Sequence, residues 1–126
     1  MWSRFFTVSL SLFGFVALAQ AQTLPPSDVL NLEATAGDRE VVLNWDAAED
    51  DGFVSGYRVY YGTSPVIGED DSYEDDVYTN STEWTHVMDN LLNGVAYYFS
   101  VTAIDDDQME SINYSNETAA TPVAPL

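Results

Sequence analysis

An all-β sandwich of about seven antiparallel strands in two sheets is the fold this sequence predicts, on three observations. From Val29 onward, short runs of period-two alternation are separated by Gly, Asn and Asp clusters, and no apolar repeat supports a helix longer than a turn. Residues 91–104, LLNGVAYYFSVTAI, send a turn at Asn93-Gly94 into a strand whose alternate residues Tyr97, Phe99, Val101 and Ala103 share one face. A tyrosine opening a strand after such a turn can pin a sandwich corner by bonding its phenol to the upstream chain. Residues 40–46 alternate as cleanly, with Val41, Leu43 and Trp45 on one face and Val42 and Asn44 on the other. An indole there has a large area to bury.

Taken in order, residues 22–28 are a proline-rich extended lead-in, and the domain proper is expected over 29–122, with 123–126 as a tail. The first strand is expected at 29–34, with Leu30 and Leu32 on one face. After the Ala36-Gly37-Asp38 turn comes the strand at 40–46, then an acidic loop at 46–52. Residues 56–62, GYRVYYG, send Tyr57, Val59 and Tyr61 inward and Arg58 and Tyr60 outward. Residues 63–80 carry a run of acidic side chains, read as solvated or disordered, with Val77 and Tyr78 marking a short edge strand. Residues 82–88 place Trp84, His86 and Met88 on one face. Leu91 precedes the Asn93-Gly94 corner, residues 95–105 form the longest strand, and residues 114–121 close the domain.

The chain opens with MWSR, an apolar run and the small-residue pattern Ala19-Gln20-Ala21. That is the layout of an export leader over residues 1–21, cleaved after Ala21, so residue 22 onward is expected in the periplasm or outside the cell, without membrane insertion. What remains is one domain's worth of chain. There is no cysteine, so packing has to hold the core without disulfides or a thiolate metal site. Twenty-one acidic residues face three arginines and no lysine, for a formal net charge of −18. Such a field excludes nucleic acid and anionic membrane as partners and favours cations or basic surfaces.

Leu32, Leu43-x-Trp45, the GYRVYY run at 56–61, Leu91-x-x-Gly94-x-x-Tyr97 and Val101-x-Ala103 together resemble a fibronectin type III domain. The likeness covers about residues 26–122, and the ending ESINYSNETAATP is similar to bacterial members found beside secreted carbohydrate-active enzymes. The resemblance implies an immunoglobulin-like sandwich, loops gathered at both ends, and no shared catalytic residues, members serving as spacers, adhesion modules and binding domains. The core it implies is Leu32, Leu43, Trp45, Tyr57, Val59, Leu91, Tyr97, Phe99 and Val101. The segment between the third strand and Trp84 is longer and more acidic than the family's pattern.

Two constellations carry candidate chemistry. Asp46, Glu49, Asp50 and Asp51 before the third strand, and Asp105, Asp106, Asp107 and Glu110 after the longest one, fall at one end of the resembled topology. Convergent carboxylates can supply the six to eight oxygens that calcium takes, although neither loop has EF-hand spacing; the competing reading is a solvated acidic rim. No cofactor is required otherwise. The second constellation is Tyr60 and Tyr98, outward on neighbouring strands beside Arg58 and Ser100. Such rings can stack on sugars or make protein contacts, or can be ordinary cross-strand pairs. His86 lacks a companion nucleophile. Asn80, Asn113 and Asn116 match the glycosylation pattern and are assigned no role. The expected function is therefore a non-catalytic exported recognition or adhesion module for an extracellular protein or polysaccharide. Its alternatives are a calcium-stabilised spacer and a carbohydrate-binding accessory of a secreted enzyme system.

Overall fold

Alternating side chains build seven strands among residues 23–126, the part of the chain that the computed structural model describes; the expected leader and Gln22 lie outside it. They are β1 (Glu33–Gly37), β2 (Glu40–Asn44), β3 (Val54–Gly62), β4 (Asp75–Tyr78), β5 (Thr85–Met88), β6 (Tyr97–Asp105) and β7 (Thr118–Ala120). One antiparallel sheet runs β1-β2-β5 and the other β4-β3-β6-β7. The inward faces of the two sheets meet in one apolar core. The nine residues of the core implied by the family resemblance are buried there: Leu32, Leu43, Trp45, Tyr57, Val59, Leu91, Tyr97, Phe99 and Val101.

Two aromatic devices fix the sheets against each other. The Trp45 and Tyr57 rings meet edge to face with centroids 5.1 Å apart, and the Tyr57 hydroxyl accepts the Ala48 N–H at 3.1 Å. At the corner, the Tyr97 hydroxyl accepts the Leu92 N–H at 3.0 Å, the link anticipated from LLNGVAY. Gly94 turns that corner at φ +86°, a left-handed conformation that costs glycine nothing and strains a β-carbon.

Three expectations need correction. Leu30 does not share the core face with Leu32: it is 61% exposed, and Val29 is buried in its place. Asn31 stands at φ 59° and inverts the alternation, so the buried positions fall three apart, and regular pairing begins only at Glu33. Trp84 does not join Met88 inside: it lies in a bend before β5 with 57% of its surface exposed. The closing strand shrinks to Thr118–Ala120 because Ser115 and Ser111 hydroxyls, rather than backbone carbonyls, accept the N–H groups of Val101 and Ala103. The edge strand expected at Val77-Tyr78 forms as β4 against β3.

Candidate functional site

The outer face of the four-stranded sheet carries an aromatic cluster arranged around two carboxylates. Alternation turns Arg58 and Tyr60 of β3 outward, opposite Thr102 and Ser100 of β6. The loop before β4 lays Tyr73 over this face, and the loop before β7 lays Tyr114 there. Ring centroids lie 6.2 Å apart for Tyr60 and Tyr73, 4.9 Å for Tyr60 and Tyr114, and 5.4 Å for Tyr73 and Tyr114. Glu110 Oε2 accepts from the Tyr60 hydroxyl at 2.5 Å and from Thr102 Oγ1 at 2.6 Å. Glu117 Oε2 accepts from the Tyr73 hydroxyl at 2.6 Å and from the Val66 N–H at 3.0 Å. Burial, and after it these carboxylate bonds, hold the Tyr60 and Tyr73 phenols well above the ordinary tyrosine pKa. Between Tyr60, Tyr114, Thr102, Glu110, Ser111 and Ile112 is an open hollow of about 420 Å³.

This is where the sequence-predicted platform stands, with different members. Tyr60 belongs to it and Arg58 flanks it, bonding Asp76 at 2.7 Å and lying 3.8 Å from Glu110. Tyr98 sits on the same sheet, opposite Gly62 and Ala119, and makes no ring contact among the described residues. Tyr73 and Tyr114 take its place. Both come from irregular loops, where periodicity assigns no face; their only sequence signal is being lone aromatics within polar runs.

At one end of the sandwich the two acidic loops meet as the topology required. Val54 pairs with Asp105, and the register shifts at Ser55, whose hydroxyl donates to the Ile104 and Asp105 carbonyls at 3.1 and 2.9 Å. That bulge joins the loops, and the Asp106 N–H donates to the Phe53 carbonyl at 3.1 Å. One carboxylate oxygen each from Asp105, Asp106 and Asp107 lies within 4.8 Å of the others. Desolvation, then repulsion from Asp106, Asp105, Asp51 and Asp50, raises the Asp107 pKa. Asp46 and Glu49 stand apart: Asp46 Oδ2 accepts from Asn31 Nδ2 at 2.7 Å, and Glu49 is tied through its N–H to Ser27 Oγ. Glu110 faces the tyrosine cluster instead.

A second hollow of about 450 Å³ is lined by Trp84 with Asn44, Thr82, Glu83 and Thr85. His86 is half-buried beside Tyr61, Val77 and Met88, where burial lowers its pKa. No serine or threonine hydroxyl accompanies it there.

Comparisons with known proteins match this architecture. The sequence model of the family described as fibronectin type III domain matches residues 24–118. An amylopullulanase from Thermoanaerobacter thermohydrosulfuricus is 34% identical over 101 residues, which is 80% of this chain and 6% of that enzyme. The chain thus spans a small part of that relative. Among solved structures, chitinase ChiA74 from Bacillus thuringiensis superposes with TM-score 0.65 at 24% identity, over 84% of this chain and 15% of that one. An Fn3-like protein from Clostridium thermocellum does so with TM-score 0.59 at 20% identity, over 82% and 99%.

Proposed function

Since the chain belongs to the fibronectin type III family, we propose that it is an exported, non-catalytic accessory module of a polysaccharide-degrading system, and that it contacts glycan through the Tyr60–Tyr114 hollow. The observation that carries this reading is the composition of the hollow. Two tyrosine rings offer apolar faces, and Glu110, Thr102 and Ser111 place polar groups around them. Sugar rings present apolar C–H faces rimmed by hydroxyls, so stacking on a phenol beside fixed hydrogen-bonding groups suits them. The kinship with an amylopullulanase supports a carbohydrate partner over a protein one. Fibronectin type III domains are generally non-catalytic modules, which supports a binding role over a catalytic one.

Retention on insoluble α-glucan, β-glucan and chitin tests the reading. Tyr114 is 46% exposed, so Tyr114→Ala should leave Tm nearly unchanged while weakening retention about tenfold or more, the usual loss for a stacking aromatic. Tyr98→Ser, outside the cluster, should bind as the parent does. A folded Tyr114→Ala protein with undiminished retention, or no retention of the parent on any of the three polymers, would overturn it.

A further inference from the structure

The acidic end of the sandwich holds a buried carboxylate with an oxygen that none of the described residues uses. Asp105 is 0% exposed. Its Oδ1 accepts the N–H groups of Asp107 at 2.9 Å and Met109 at 2.7 Å, and its Oδ2 has no partner among the described residues. A buried carboxylate oxygen without a donor is costly, and native folds rarely leave one. Asp50 repeats the pattern: Oδ2 accepts the Gly52 N–H at 2.9 Å, and Oδ1 is buried and unpaired. Gly52, in the loop before β3, lets the other loop approach closely: a β-carbon there would stand 2.7 Å from Asp106 Oδ1.

No side-chain cation at this end offsets the charge. Among the described residues the arginines are Arg39 and Arg58. Arg58 is engaged with Asp76, and Arg39 sits in the β1–β2 turn, at the end of β2 remote from the acidic loops. We infer that Asp105, Asp106 and Asp107 bind a calcium ion directly, with Asp50 of the neighbouring loop reaching it through water, so that the ion ties the loop before β3 to the loop after β6. Calcium–oxygen distances of about 2.3–2.6 Å let one ion touch oxygens up to roughly 5 Å apart, and the three neighbouring aspartates already hold theirs within 4.8 Å. Water completes the coordination, because Asp106 and Asp107 face solvent.

The test is calcium titration of the purified protein, followed by Tm and by backbone amide shifts, against sodium chloride of matched ionic strength and against magnesium. A dissociation constant of about 10⁻⁴–10⁻³ M, usual for extracellular modules, gives a Tm rise of about 5–15 °C in 10 mM calcium. Amide shifts are expected to concentrate at residues 50–53 and 105–109. Asp107→Asn is at the surface and keeps the fold, and it should weaken binding about tenfold; Asp105→Asn should abolish the response or fail to fold without affecting that comparison. The inference is overturned if matched sodium chloride raises Tm as much, if Asp107→Asn responds like the parent, or if magnesium does as well as calcium.

Discussion

Trp45 and Trp84 share a residue type, and both fall on odd or even positions that alternation sends inward, yet their surroundings differ completely. Trp45 is 5% exposed against Tyr57 in the core, while Trp84 is 57% exposed. The Trp45 Nε1 is buried without a partner among the described residues, so the stabilisation Trp45 supplies comes from packing area and ring contact. Truncating a buried indole costs about 3–5 kcal/mol, transfer and cavity together, whereas a surface substitution away from special features stays near 0.5 kcal/mol. Urea unfolding of Trp45→Ala and Trp84→Ala should show that asymmetry. Equal losses would mean that the indole at 84 is packed. Sequence could place Trp45 because five residues of unbroken alternation precede it. It misplaced Trp84 because β5 begins one residue later, and a strand boundary shifts which positions the period governs.

At the scale of elements, β2, β3 and β6 were legible because each keeps its two-residue period across both faces. The first strand was not, since a single left-handed residue at Asn31 exchanges Leu30 for Val29 in the core. Residues 63–80 were read as a solvated charge run, but several of those carboxylates fasten their own segment. Glu74 accepts from Thr63, Asp71 from the Ile67 and Gly68 N–H groups, and Asp76 pairs with Arg58. Such local acceptors are invisible to composition. The convergence of the acidic loops was legible from topology; which carboxylates join there depends on side-chain direction, and so Asp46 and Glu49 fell away. The tyrosine cluster clasps both long loops to the sheet, and alkaline titration should report it. With folded pKa values raised above the unfolded value near 10, the protonated phenols of Tyr60 and Tyr73 contribute stability fully below about pH 10, and it is lost as pH climbs through the folded values. Phenolate absorbance should therefore rise in two classes, the second with unfolding, and Tyr73→Phe should shrink the second. One class near pH 10 would show that the cluster opens in solution.

Across the whole molecule, the charge dominates every long-range term. The formal net charge of −18 includes Arg4, and loss of the expected leader would make it one unit more negative. Against it the described residues offer few ion pairs, and the Arg58–Asp76 bridge, with 32% and 39% of the two side chains exposed, is of the kind worth about 0–1 kcal/mol. The apolar core must therefore hold against self-repulsion that acts between all carboxylates at once. A domain of about 100 residues has a radius of gyration near 13 Å, and the Debye length is about 30 Å at 0.01 M salt and about 8 Å at 0.15 M. In dilute buffer each carboxylate senses the entire surface; at physiological strength and above it senses only its neighbours. The unfolded chain spreads the same charges further apart, so screening relieves the native state more. With calcium removed by chelator, Tm should climb steadily by several degrees between 0.01 and 0.5 M sodium chloride, most steeply at the dilute end where the Debye length changes most. Because the effect is non-specific, Asp107→Asn should start slightly higher and follow the same curve. A Tm that is flat or falls with salt would mean that the carboxylates are neutralised locally, and the balance between core and charge would have to be redrawn.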